Sequence, residues 1–299
     1  MHTMHKKLLG LVLALLLVLT ANCGLAETTA ITVTDMTGRE VTLAEPATKV
    51  VALTASDCEI LFALSAGDTL VGRGTYCDYP AEVLDVVTVE SGYETNIEQI
   101  IALEPQLVLM STMAQTEEQV NMLETAGIAV AVSEATDIAG VYEAIVLIGA
   151  LTGKDAEAAA LVAEMQAAFE ALAATPVSGS IYFEVSPLQY GLWTAGQGTF
   201  MQEIAELLGL TNIFGDLDGW VQVSEEQVLD RNPDYIFTTT TDYGVEPSPV
   251  DEILARAGWE NVTAVQNLDV IGGFGDALTR PGPRLVEGAQ MLLDAINAE

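Results

Sequence analysis

Three short segments of the chain set a large ring between glycines and small polar residues, and a fourth joins an acid to a guanidinium. Tyr76 lies in Gly74-Thr75-Tyr76-Cys77-Asp78-Tyr79-Pro80, Trp193 in Gly191-Leu192-Trp193-Thr194-Ala195-Gly196, and Trp220 in Gly219-Trp220-Val221-Gln222-Val223-Ser224. Rings in Gly-flanked loops offer flat apolar faces on which a bulky ligand can stack, although each one alone is equally compatible with packing. Asp276 and Arg280 share the Gly- and Pro-rich stretch 272–284, which predicts a shaped, exposed turn. There the pair either hydrogen-bonds a polar ligand or fixes the loop as a salt bridge. All of this is the chemistry of holding a molecule.

The groups needed for making and breaking bonds are missing. Both histidines, His2 and His5, stand at the extreme N-terminus, so beyond them no Ser-His-Asp or Cys-His triad, His-based metal site or His-ligated haem can be built. Gly196-Gln197-Gly198 lacks the third glycine and the acidic partner of a dinucleotide fingerprint, and no P-loop is present. With 43 acidic residues in the chain, a pair of carboxylates carries no signal. No metal site and no catalytic residue are predicted.

The elements that would position these rings alternate strand and helix. Val50 to Thr54, Thr69 to Arg73, Val86 to Val89, Leu107 to Ser111 and Ile128 to Val132 read as strands, with helices over Asp57 to Ala66, Ile97 to Leu103 and Glu117 to Ala126. Short apolar strands separated by amphipathic helices predict a mainly parallel sheet covered on both faces. From Thr152, whose spacing to Asp155 resembles a capping box, the pattern changes: the Ala-rich segment that follows Asp155 runs without Gly or Pro to Pro176, predicting one long helix with Leu161, Met165, Phe169 and Leu172 on one stripe. The alternation then restarts: Ser180 to Val185, Tyr235 to Thr239 and Asp269 to Gly272 as strands, Phe200 to Leu208, Pro249 to Ala257 and Leu285 to Ala298 as helices.

One correspondence ties the halves. Asn96-Ile97-Glu98-Gln99 and Ser224-Glu225-Glu226-Gln227 share a cap residue, then Glu and Gln, and Pro105 and Pro233 each lie nine beyond the cap. Two lobes of similar build follow from that register. It also puts Glu98 and Glu226 in matching first turns, where a carboxylate is favoured by the helix dipole and where a receptor touching both lobes would find one acid on each. The expected organisation is a leader over 1–26, an N-terminal lobe over 27–152, a linking helix over 153–175 and a C-terminal lobe over 176–299.

The leader decides the compartment. Lys6 and Lys7 precede an apolar run from Leu8 to Leu19 that is too short to span a bilayer, the pattern of a secretory signal peptide. Thr20-Ala21-Asn22-Cys23 resembles a lipobox with the wrong residue before the cysteine, and Ala26 offers a second cleavage point; lipidation of Cys23 would tether the chain to the outer face of the membrane, and the other cut would free it. Outside the cell's reducing interior, Cys58 and Cys77 either pair as a disulfide or stay as two buried thiols. Two of the ten basic residues lie in the leader and none of the acids do, leaving eight against 43. Such a chain repels nucleic acid and anionic membrane.

These segments together resemble the cobalamin and iron-siderophore class of ABC-importer binding proteins, and are most similar to the cobalamin binders. The resemblance runs from Ile31 to the C-terminus through Val33-Thr34-Asp35 with Gly38-Arg39, Ala66-Gly67-Asp68, Asp78-Tyr79-Pro80, Asn96-x-Glu98, Leu103-Glu104-Pro105, Asn212-Ile213-Phe214, Val223-Ser224 with Glu226-Gln227, and Pro281-Gly282-Pro283-Arg284. It implies two Rossmann-like lobes with mainly parallel sheets joined by a single long helix, a ligand gripped in the cleft, and no catalysis. It further implies that Tyr76 and Trp220 sandwich a corrin, that Trp193 is a cleft aromatic, that Asp276 and Arg280 contact the ligand, and that Glu98 and Glu226 dock on arginines of a permease dimer. The chain is expected to act as a monomer.

A cleft tryptophan of the cobalamin binders is missing near Glu90-Ser91-Gly92-Tyr93, and Ala277 replaces another aromatic. Cobalamin, a ferric siderophore and haem therefore all stay open as ligands. A nearly neutral, amide-decorated corrin suits stacking rings, whereas a multiply anionic catecholate would want a cluster of cations for which only Arg73, Arg280 and Arg284 are candidates. Two other readings stand beside this one: a nucleotide-dependent enzyme on the same layers, and an extracellular ligand sensor that serves no permease.

Overall fold

The structure, a computed structural model, describes residues 30–92, 94–112 and 116–298. The leader, with the expected lipid anchor Cys23, lies outside the described residues. A β-hairpin of β1 (Ile31–Thr34) and β2 (Glu40–Leu43) opens the chain. The first lobe is then built on β3 (Val50–Ala52), β4 (Leu70–Gly74), β5 (Thr88–Val89), β6 (Leu107–Met110) and β7 (Ala129–Val132), all parallel, in the order β5-β4-β3-β6-β7. Helices α1 (Ala55–Ala63), α2 (Ile97–Ala102) and α3 (Glu117–Thr125) connect these strands.

Two helices follow, α4 (Ile138–Thr152) and α5 (Asp155–Ala173). The second lobe carries β8 (Ser180–Glu184), β10 (Thr211–Asn212), β12 (Tyr235–Thr238) and β13 (Val270–Ile271) as a parallel sheet in the order β10-β8-β12-β13. An antiparallel ribbon of β9 (Trp193–Ala195) and β11 (Trp220–Gln222) lies beside it. Its helices are α6 (Phe200–Leu207), α7 (Glu225–Arg231), α8 (Pro249–Leu254), α9 (Thr263–Asn267) and α10 (Leu285–Asn297). Two Rossmann-like lobes joined by one long helix is the architecture the sequence led us to expect. Among the described residues no helix is long and apolar enough to cross a membrane.

Alternation along each strand explains how the lobes share one core. In a strand successive side chains point to opposite faces. Val50 and Ala52 join a cluster that also takes Ile181, Phe183 and Phe237 of the second lobe, while Val51 and Leu53 face a separate cluster with Ile100, Met110 and Leu123. Tyr182 and Ile236 point the other way again, into a third cluster around Phe214 and Trp259. The shared cluster is bridged by α5, whose Met165, Phe169 and Leu172 are buried on the expected stripe and which packs on α4 of the first lobe and on α6 and α10 of the second.

One local expectation is corrected. Thr152 does not cap α5: its hydroxyl donates to the Ile148 carbonyl at 2.7 Å, closing the last turn of α4, which ends at Gly153 in the left-handed conformation. Helix α5 instead starts after Lys154, which makes no side-chain cap. The repeat, in contrast, extends further than the sequence alone could tell. Asn96 and Ser224 both accept the Gln backbone N–H three residues on, and Glu104 and Asn232, each just before its proline, both sit at positive φ (50° and 45°).

Candidate ligand-binding site

In open α/β sheets ligands bind beyond the carboxyl ends of the strands. At those ends the lobes are tied together twice. After β4, Arg280 of the second lobe reaches the Tyr76 carbonyl at 3.3 Å. After β7, the Phe200 N–H donates to the Thr136 carbonyl at 2.8 Å, and the Ile138 N–H donates to the Glu203 carboxylate at 2.7 Å. Strands β3 and β6 lie between β4 and β7 in the sheet order, so the two ties flank their carboxyl ends.

Tyr76 leaves the end of β4 with 75% of its surface exposed. The turn that carries it requires a glycine, because a Cβ on Gly74 would come within 2.3 Å of the Leu53 carbonyl oxygen. Trp193 and Trp220 are strand residues, where the sequence suggested loops. Trp193 stands opposite Gln222 and Trp220 opposite Ala195. Cross-strand partners share a face, as do residues two apart, so both indoles project from one side of the ribbon. They are 41% and 39% exposed. Trp220 packs on the Phe200 ring at 5.4 Å between centroids, which links it to the tie with the first lobe.

Of the two roles open to Asp276 and Arg280, the structure shows the ion pair. Arg280 contacts Asp276, Asp78 at 2.6 Å and Glu59 at 3.3 Å, and its side chain is 14% exposed. The Arg280 guanidinium holds the Asp78 carboxyl below the usual range. Arg284 grips Glu59 at 2.9 and 2.6 Å and lies 4.0 Å over the Tyr79 ring. Arg73 donates to the carbonyls of Val86 and Cys77. Each arginine that could have served an anionic ligand is thus engaged. Glu59 was not singled out from sequence, and Arg284 only as a candidate cation for an anionic ligand; the available signal for Glu59 was an acid inside the buried run Cys58-Glu59-Ile60-Leu61.

Of the two states open to Cys58 and Cys77, the structure shows the thiols and not the disulfide. They are buried free thiols, both directed at the Ala52 carbonyl, at 3.8 and 3.9 Å. The neighbouring Cys77 and burial push the Cys58 thiol well up. Glu98 and Glu226 stand exposed on the first turns of α2 and α7.

A hollow of about 430 Å³ opens at the ends of β8 and β12, and its acids are Glu184, Asp242, Glu246 and Glu252. No Lys or Arg lines it. Tyr243 and Val245 at its rim are 84% and 71% exposed.

At the first strand–helix turn, where a nucleotide-binding protein cradles phosphate, this chain places a carboxylate. Asp57 is buried and receives hydrogen bonds from the hydroxyls of Thr54 and Ser133. Burial pushes it up to about 7, although the two hydroxyls pull the other way, from an ordinary value of 3.8. Between those values the folded protein keeps a proton that the unfolded chain has lost, so stability falls as pH rises, by about 1.4 kcal/mol per pH unit. Asp57→Asn is expected to flatten this part of the urea-denaturation profile and to be more stable than the wild type at pH 8. A profile as steep as the wild type's would refute the assignment.

Two α/β lobes on one connecting helix, with Tyr76, Trp193 and Trp220 exposed and the nearby arginines engaged, have the build of a two-lobed solute-binding protein. Residues 50–274 match the periplasmic binding protein family, and the chain belongs to that family. It is 34% identical to the ABC transporter substrate-binding lipoprotein YvrC of Bacillus subtilis, across 97% of this chain and 98% of that one. It is 30% identical to the vitamin B12-binding protein of Salmonella choleraesuis, across 84% of this chain and 91% of that one. Among solved structures, an ABC-type Fe3+-hydroxamate transport system protein from Saccharomonospora viridis superposes with a TM-score of 0.75 at 25% identity, covering 89% of this chain and 98% of that one.

Proposed function

We propose that this protein is the extracytoplasmic receptor of an ABC importer and that it holds a cobalamin-like chelate by stacking, without transforming it. The observation that carries the reading is the shared face of Trp193 and Trp220 on one ribbon, with the exposed Tyr76 ring on the other lobe. Charge narrows the ligand. With Arg280 and Arg284 bound to carboxylates and four acids around the hollow, only two of them held by Arg256, a polyanionic ferric catecholate meets repulsion and a nearly neutral corrin does not. A neutral ferric hydroxamate meets the same requirement and is the second reading, favoured by the structural likeness above. A nucleotide is disfavoured, because Asp57 occupies the turn that would cradle its phosphate. Delivery to a permease dimer would use Glu98 and Glu226, one from each lobe.

Tryptophan fluorescence during titration with cyanocobalamin, haem and a ferric hydroxamate tests the ligand. Cyanocobalamin is expected to quench, and Trp220→Ala to weaken its binding by about 2 kcal/mol, roughly thirtyfold. Equal affinity in Trp220→Ala would remove the ring from the site, and no response to cyanocobalamin would overturn the corrin assignment.

A further inference from the structure

The geometry points to Glu59 as a positioning residue that latches the two lobes along one flank of the cleft before any ligand arrives. Glu59 lies on α1 of the first lobe between side chains with no exposure, Cys58, Ile60 and Leu61, and its own side chain is 2% exposed. A carboxylate in such a place is tolerated only when fully partnered. Both charged partners come from the other lobe. Arg284 presents its Nε to one carboxylate oxygen at 2.9 Å and its Nη2 to the other at 2.6 Å, a two-pronged grip, and Arg280 adds a contact at 3.3 Å.

From this centre the network spreads to the ligand-facing turn. Arg280 also holds the Asp78 carboxylate and the Tyr76 carbonyl, and Arg284 stacks on the Tyr79 ring. Residues 276–284 of the second lobe and 76–79 of the first therefore form one wall, with Glu59 at its centre. Three carboxylates (Glu59, Asp78 and Asp276) face two guanidiniums, so the network is charge-balanced to within one negative unit and the arginines are spent within the protein. The consequence for binding is that the Tyr76 turn is held from the opposite lobe, so one side of the grip is already set in the empty protein. Only this consequence rests on the reading of Tyr76 as a stacking ring; the latch itself is measured without ligand.

Hydrogen exchange on the ligand-free protein tests it. The reporters are amides that donate within the wall: Cys77 to Gly74 on the first lobe, and Thr279 and Arg280 to Asp276 on the second. Glu59→Gln is expected to speed exchange at least tenfold at all three, although they lie on different lobes. Arg231→Gln, which breaks a pair confined to the second lobe, should leave them unchanged. Should Glu59→Gln fold poorly, Asp78→Asn removes a half-exposed partner and Arg284→Lys keeps the charge while losing the two-pronged grip; each is expected to speed exchange at least threefold on the lobe it does not belong to. Exchange that changes only on the mutated residue's own lobe would overturn the latch. A wild type that fails to bind cyanocobalamin would sink the ligand reading and leave this result standing.

Discussion

Arg256→Met is expected to destabilise the protein by about 3–5 kcal/mol, because it strands a carboxylate where water does not reach. Arg256 and Glu184 are 3% and 1% exposed and meet through two bonds, at 2.8 and 3.0 Å. Glu252 closes the other side of the guanidinium at 2.5 and 3.1 Å, and Trp259 lies under it at 4.4 Å. Burial pushes the Glu184 carboxyl up even with its partner in place. Without the arginine that shift grows, and a raised carboxyl destabilises the fold once the pH exceeds the value at which the unfolded chain ionises. The defect should therefore be larger at pH 8 than at pH 5 in urea denaturation. Glu184→Gln in the same chain should recover most of the loss, and a deficit independent of both pH and Glu184 would show that packing on Trp259, not charge, is responsible.

Reversing both matching acids, Glu98→Arg with Glu226→Arg, is expected to abolish ligand uptake in cells while leaving ligand affinity within about twofold. The two carboxylates are exposed on the first turns of equivalent helices, and an exposed charge contributes little to the fold. Against a partner that presents cations, two reversals convert attraction into repulsion at both contacts. Uptake assays beside equilibrium titration separate the two effects. Normal uptake would remove the docking role and leave a sensor without a permease as the better account; reduced affinity would place the acids in the ligand site.

Much of the fold was legible because its signals are local. The strands at Val50, Leu107 and Tyr235 are short apolar runs, and the repeat of cap, acid, Gln and Pro needed only counting. Helix α4 was not read, since its exposed face carries Ala139 and Val146 beside the single charge of Glu143, so no polar stripe stands opposite the buried Val141, Ala144, Ile145, Ile148 and Leu151. The ribbon was read as loops because its strands are three residues long and flanked by glycines. For the site, glycine-flanked rings could be picked out one by one. The wall around Glu59 could not, because Arg284 lies 225 residues from it along the chain and nothing local announces such a pairing.

The common apolar cluster beneath both lobes predicts that the two halves unfold together. Cutting the chain at Gly153 would lay bare the α5-facing side of α4 on one fragment and the α4-facing side of α5, with Ala158, on the other. A scanning calorimeter should accordingly record one endotherm for the whole protein, with calorimetric and van't Hoff enthalpies in agreement, and chimaeras that exchange a lobe with a relative will need matching side chains along the seam.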